Sequence, residues 1–366
     1  MKVNKLPIAK ILTLVFIVLS LSLTSCEDFF EYEGDCEPKH KIQFVYDMNL
    51  KWADAFSSEV HSVNLYIFDE NGLFVKEYDA RGPQIDAPGY LMDIDVTPGK
   101  EYTFVAWCGL DNEGVSEESF SVTQPSSGVT TLDDFLCSLN ASTTPPSTRA
   151  EQDGQEMVYS NSQLQFLYHG ILRNEYITDE HEGLTYIHTI YLTKDTNHIR
   201  IMLQELDSDG IDNPNDFKIT INSVNGVLNY DNLPIGNTVV QYSPWQQITD
   251  IMGVGSIDPD NNTVTNRPGL VSDLSVCRLM ADQNESFFIK ITDGDGKLIA
   301  NIPFIKYALM GRSYYENTYH HPMSDQEFLD RNDEYEMILF LEGGKWVQAR
   351  IDILDWRMVN NNVDVN

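Results

Sequence analysis

Cys26 is the residue best placed for covalent chemistry. It closes Leu23-Thr24-Ser25-Cys26, an aliphatic residue and two small ones before a cysteine. Small side chains let a peptidase reach the bond between Ser25 and Cys26, and the thiol can carry a diacylglycerol thioether. This is the pattern of a lipoprotein processing site. After cleavage Cys26 is the first residue, acylated on sulfur and on the new amine. Two or more acyl chains anchor a protein stably where one alone is marginal. Ahead of it stand Lys2, Lys5 and Lys10 and then an apolar run over residues 11–23. That run is short for a membrane span, which needs about 20 residues, and suits a signal peptide. An ordinary secretory signal with an incidental cysteine would not explain why the cysteine ends the run.

The remaining candidates do less. Cys36, Cys108, Cys137 and Cys277 would meet an oxidising compartment, which makes them candidates for one or two disulfides. Four cysteines allow three full pairings, and the sequence does not choose among them. No Cys-x-x-Cys occurs. His181-Glu182 begins like a zincin motif, but the next histidine, His188, comes seven residues on instead of four. Gly253-Val-Gly-Ser256 lacks the second glycine of a nucleophile elbow. The Asp207–Asp212 and Asp293–Gly296 runs have a calcium-like composition but no closing glutamate at position twelve, and read as hairpin turns. No phosphate-binding glycine loop is present. These residues point to no enzyme, no metal and no cofactor.

Charge narrows the partners. The chain has 24 Lys+Arg against 56 Asp+Glu, a formal net charge of −32. Without the three leader lysines, 21 basic residues face 56 acidic ones and the charge is −35. Such a surface repels the phosphate backbone, which excludes a nucleic-acid binder, and anionic lipid headgroups are equally poor partners. Yet 42% of residues are hydrophobic and 11% aromatic, too many for an acidic disordered chain.

The elements that would position these residues read as strands. Val63, Leu65 and Ile67 alternate with Asn64, Tyr66 and Phe68, so both faces are apolar and the strand is central. It runs into Asp69-Glu70-Asn71-Gly72, the strongest short hairpin signal, with a return strand over 73–78. A strand over 92–96 is expected to turn at Pro98-Gly99-Lys100 and pair with one over 102–107. Further strands are expected over 185–193, 199–206, 217–221, 276–279, 287–291 and 297–305. Ser324-Asp-Gln-Glu327 is a capping box opening a short helix to about Arg331. Strands over 337–341 and 346–356 close the chain as a hairpin. The loop over 140–150 holds Arg149, the one basic residue between Glu101 and Leu172, and reads as an ordinary surface loop.

Short strands with brief helices give an all-β fold of two tandem sandwiches. The division is a signal peptide over 1–25, an acidic tether over 26–40, an N-terminal sandwich over 41–193 and a C-terminal sandwich over 194–366.

The motifs resemble the FimB/Mfa2 family, the fimbrillin-associated anchor lipoproteins of Bacteroidota. The resemblance begins with Phe44-Val-Tyr-Asp47, Trp52-Ala-Asp-Ala-Phe56 and Val60-His-Ser-Val63. It continues through Leu65-Tyr-Ile-Phe-Asp69, Tyr102-Thr-Phe-Val-Ala-Trp107, Tyr168-His-Gly170 and Leu192-Thr-Lys-Asp-Thr-Asn197. Tyr230-Asp-Asn232, Arg278-Leu-Met280, Asp325-Gln-Glu-Phe-Leu-Asp330, Asp333-Glu-Tyr335 and the closing strand from Trp346 to Trp356 complete it. Each motif is weak alone; their order along the chain is specific. Cys108 departs from the pattern, standing where a glycine is usual. The acidic cluster Glu27, Asp28, Glu31 and Glu33 resembles the surface-export signal of Bacteroidota lipoproteins.

The resemblance implies transthyretin-like sandwiches and an outer-membrane lipoprotein, exposed at the cell surface, that holds a fimbria at its base and limits its length. It also implies that the partner is the shaft subunit, a fimbrillin, joined by strand complementation. Two rivals stand beside this reading. One is a surface glycan-binding lipoprotein using some of its 18 tyrosines and 5 tryptophans, although their place within apolar runs suits strand core. The other is a fimbrial tip adhesin.

Overall fold

The structure is a computed structural model describing residues 39–110, 118–145, 156–180, 183–206, 210–252, 267–283, 286–353 and 356–360. Cys26, Cys36, Arg149, His181 and Ser256 lie outside the described residues.

The first sandwich pairs a three-stranded sheet with a five-stranded one. In the smaller sheet β1 (Lys39–Val45) lies between β4 (Leu91–Ile94), antiparallel to it, and β10 (Thr185–Tyr191), parallel to it. The larger sheet has the order β11-β9-β5-β2-β3, all antiparallel. Its members are β2 (Ser62–Asp69), β3 (Phe74–Arg81), β5 (Lys100–Cys108), β9 (Tyr168–Ile177) and β11 (Thr193–Lys194). A one-turn helix α1 (Phe56–Glu59) leads into β2. Ile42 and Phe44 from one sheet meet Val63, Leu65, Ile67, Phe104 and Ala106 from the other in a closed core.

β2 is buried along almost its whole length, as an apolar strand on both faces requires. Its even and odd positions serve different cores. Val63, Leu65 and Ile67 face the first sandwich, while Tyr66 and Phe68 join a larger core shared with the second half. The Asn-Gly hairpin forms as expected: Asp69 accepts from the backbone N–H groups of Asn71 and Leu73, both at 2.9 Å, and Gly72 takes a φ of 72°.

The expected hairpin across Pro98-Gly99-Lys100 does not form. β4 pairs with β1, and β5 lies in the opposite sheet between β2 and β9. The turn carries the chain across the sandwich. Local turn chemistry was right and the partner wrong, because strand partners are chosen by long-range burial.

The second sandwich holds two larger sheets. One has the order β16-β17-β12-β20-β21-β22 and is built from β12 (Thr196–Glu205), β16 (Gln246–Met252), β17 (Arg267–Cys277), β20 (Glu334–Glu342), β21 (Lys345–Ile353) and β22 (Trp356–Asn360). The expected final strand is thus two, with Trp356 opening β22. The other has the order β19-β18-β13-β15-β8: β8 (Met157–Ser160), β13 (Phe217–Ser223), β15 (Val239–Tyr242), β18 (Phe288–Asp293) and β19 (Leu298–Pro303). Helix α2 (Phe304–Tyr319) begins where the strand over 297–305 was expected to end, and was not foreseen. Helix α3 (Asp325–Arg331) was. The Ser324 side chain accepts from Glu327 N–H at 3.1 Å, as the capping box requires.

Strand pairing crosses the expected junction at 193/194. β8 lies before it yet pairs in parallel with β15, and β7 (Cys137–Leu139) joins β6 (Phe120–Val122) to β14 (Val227–Leu228) in a small third sheet. Phe120, Phe135, Cys137 and Leu164 therefore join the core that holds Ile219, Leu228 and Tyr242. The fold is all-β, with two sandwiches joined through a continuous core.

Candidate functional site

The motifs quoted from the sequence converge on the seam between the sandwiches. Lys194 ends β11 and Asp195 leads directly into β12, so this short segment is where the chain passes from one sandwich to the other. A linker would be solvated. Here Lys194, Asp195, Thr196 and Asn197 are all buried, and buried polar groups demand partners.

Lys194 pairs with Asp333 and lies 3.7 Å from a Glu59 carboxylate oxygen, with its ammonium over the Phe166 ring. Asp195 is fully buried. Its backbone N–H donates to Leu167 O at 2.7 Å, and its Oδ1 accepts from Asn232 Nδ2 at 2.8 Å. Arg278 stands 3.8 Å from that same oxygen. The Arg278 guanidinium donates to both carboxylate oxygens of Asp330, at 2.9 and 2.7 Å, and also to Asn232 O. This planar two-bond match is what arginine, not lysine, provides. Gln326 completes the frame by donating to Leu279 O at 3.0 Å and Asp330 Oδ1 at 2.9 Å while accepting from Ala281 N–H at 2.9 Å. Burial pushes the Asp195 carboxyl up to about 7, against the pull of Arg278 and the Asn232 amide.

A second clamp holds the loop after β1. Arg331 from α3 donates to Asp47 O at 2.9 Å and Asn49 O at 3.3 Å, and is itself held by Glu327 at 2.9 Å. Its guanidinium lies 3.5 Å from the Trp52 ring centroid, and His321 stacks on the same indole at 4.4 Å. Tyr315 of α2 donates its hydroxyl to Leu50 O. Trp52 adopts a φ of 54°, a left-handed conformation costly for a bulky residue, and these contacts are what hold it.

A third contact uses Tyr168-His-Gly170. His169 lies tilted against Trp107, with ring centroids 4.6 Å apart, and hydrogen-bonds Tyr230 O at 3.0 Å. Burial pushes its imidazole down to about 3, so it is neutral and donates. Gly170 has a steric role: a Cβ there would fall 2.5 Å from Ile190 Cγ2 and 2.7 Å from Tyr191 O. Only glycine lets β9 and the β10 end approach this closely.

This arrangement orders a junction; it does not activate a nucleophile. Among the described residues no group of three or more His, Cys, Asp or Glu is placed to hold a metal. The disulfide candidates do not pair among the described residues. Cys108, Cys137 and Cys277 are free buried thiols, Cys108 in the first core and the other two in the shared one. Burial pushes all three thiols up, Cys277 to about 12, so none is an available thiolate at neutral pH. Among the described residues no helix is long and apolar enough to cross a membrane.

Lys194, Asp195, Asn232, Arg278 and Asp330 all stood in the quoted motifs, yet sequence reasoning gave none of them a role. One signal was available. Arg278 interrupts the apolar run Val276-Cys277 and Leu279-Met280, and a charge inside such a run needs a buried partner.

Several solved structures share the whole architecture. A candidate adhesin of Bacteroides thetaiotaomicron matches with a TM-score of 0.71 and 29% identity, covering 90% of this chain and 100% of that one. A candidate polysaccharide-binding protein of the same organism matches with a TM-score of 0.66 and 26% identity, covering 89% and 100%. The fimbrial anchor protein Mfa2 of Porphyromonas gingivalis matches with a TM-score of 0.58 and 15% identity, covering 88% and 99%, a likeness of fold. No curated protein matches the sequence. The family described as fimbrillin-A associated anchor proteins Mfa1 and Mfa2 matches residues 32–362, nearly the whole chain. With many of its motifs meeting at one buried seam and the family matched over residues 32–362, the chain belongs to the family of fimbrillin-A associated anchor proteins.

Proposed function

We propose that the protein holds a fimbria at its base, fixed to the outer membrane by acyl chains on Cys26, and that it limits shaft length by terminating it. The observation that carries this reading is the family match over residues 32–362, with the processing pattern Leu23-Thr24-Ser25-Cys26 just ahead of it. The seam supports it physically. A protein held by lipid at one end and loaded by a shaft must pass tension across its domain junction. Buried ion pairs and a shared core resist hinging there better than a solvated linker would.

The partner is a fimbrillin joined by strand complementation, which uses the unpaired backbone of an edge strand. β3 is an edge guarded by Lys76, Glu77, Asp79 and Arg81. Two seven-residue edges lack that guard. β10 exposes Ile187 and Tyr191, and β16 exposes Ile248 and Ile251 with Asp250 as its one charge.

The glycan-binding reading draws on the candidate polysaccharide-binding relative. Trp52, the tryptophan among the exposed large hydrophobics, is already stacked against Arg331 and His321, which weakens it. The deciding experiment is Cys26→Ala in the producing cell. Fimbriae should be shed into the medium as long free filaments, whereas cell-bound fimbriae of normal length would refute the anchor.

A further inference from the structure

At the end of the first sandwich where the chain runs into β1, three titratable side chains form a line between the two sheets. His40 is on β1, His188 on β10 and Glu175 on β9. Both histidines are buried, at 5% and 8% exposure, while the Glu175 side chain is 35% exposed. His40 Nε2 lies 3.0 Å from Thr178 O, His40 Nδ1 lies 3.0 Å from His188 Nε2, and His188 Nδ1 lies 2.7 Å from Glu175 Oε1. Tyr186 stacks on His40 at 5.3 Å and fixes its ring plane.

Three contacts in series need three hydrogens, and the count is forced from one end. The Thr178 carbonyl only accepts, so His40 Nε2 carries a hydrogen. Burial lowers the affinity of His40 for a second proton, so its Nδ1 is a bare acceptor. His188 Nε2 must then donate to it. The last contact still needs a hydrogen, held either by His188 Nδ1 facing a carboxylate or by a protonated Glu175 facing a bare nitrogen. Two neutral imidazoles and one carboxylate supply only two hydrogens.

We propose that His40, His188 and Glu175 are a proton-binding clasp, holding one proton beyond their ordinary neutral complement and fastening β1 and β10 to the opposite sheet. Loss of that proton would set two lone pairs against each other inside the sandwich. The other charged groups on the surrounding elements are Lys39 and Lys41 on β1, Asp93 on β4, Lys100 and Glu101 on β5, Arg173 on β9, which pairs with Asp231, and Asp179 and Glu180 between β9 and β10. Lys41 and Asp93 pair with each other at 2.7 Å, and Lys41 alternates to the opposite face of β1 from His40. The clasp is independent of what the protein anchors.

Glu175→Gln is the discriminating variant, because a glutamine amide donates to His188 Nδ1 without taking up a proton. The intact chain and the variant are unfolded with denaturant from pH 7 to pH 9. The wild-type unfolding constant relative to the variant should rise with pH, by at most about tenfold per pH unit, the linkage of one proton bound by the folded state alone. Parallel curves would overturn the proposal. Nitrogen-15 spectra of the histidines in the wild-type chain give an independent reading. His40 should be the neutral Nε2–H tautomer and His188 should carry hydrogen on Nε2; a His40 with hydrogen on Nδ1 alone would overturn it even if the variant failed to fold.

Discussion

Asp195 is a fully buried carboxyl whose Oδ2 has no partner among the described residues, and Oδ1 of the adjoining Asn232 amide has none either. Both atoms are acceptors while Asp195 is ionised; protonation gives Asp195 a donor. Its folded value of about 7 lies above the ordinary 3.8. Its contribution to stability is therefore complete below pH 3.8 and is lost as pH rises through about 7. His169 has the opposite sign. With a folded value of about 3 against 6.5, its contribution is present above pH 6.5 and lost as pH falls toward 3. Single variants separate the two. In denaturant unfolding, the stability of wild type relative to Asp195→Asn should decline between pH 4 and pH 7, and a constant difference would count against a protonated Asp195. Arg278→Leu strands Asp330 and Asp195 as buried carboxyls and should cost about 3–5 kcal/mol by the same assay. Little of this was legible in the sequence. Ser324 announced its cap because a cap is local; Lys194 and Asp195 read as a polar junction because their partners lie far along the chain.

Elements divide the same way. β2 could be read as central because burial on both faces leaves an apolar run with no polar side. The β4 and β5 strands could be read singly but not paired, since the turn between them fits a hairpin and a crossover alike. α2 escaped because its first residues, Phe304 and Ile305, continue the apolar run of β19, while the buried Ala308, Gly311 and Tyr315 that reveal the helical face come later. The two unguarded edges make a prediction at this scale. A lysine at an exposed edge position opposes pairing with an added strand. Ile187→Lys on β10 and Ile251→Lys on β16 should leave the fold intact, and one of them should sharply reduce co-purification with the shaft subunit. Full retention by both variants would remove these edges from the account.

At the scale of the whole molecule, the sequence showed two sandwiches but not how they are joined. β8 and β7 reach past the expected junction to β15 and β14, so the halves share one core and unfolding should be cooperative across the seam. The seam brings together residues quoted from nine separate motifs, which explains why each motif is weak alone and their order specific. Several of the scarce cations, Lys194, Arg278 and Arg331, are withdrawn inside to fasten the seam. A junction fastened by buried ion pairs and a shared core suits the attached end of a filament. Immunogold electron microscopy of fimbriated cells tests that placement directly. Label should fall where each fimbria meets the outer membrane, and label at the free tips would contradict a basal anchor.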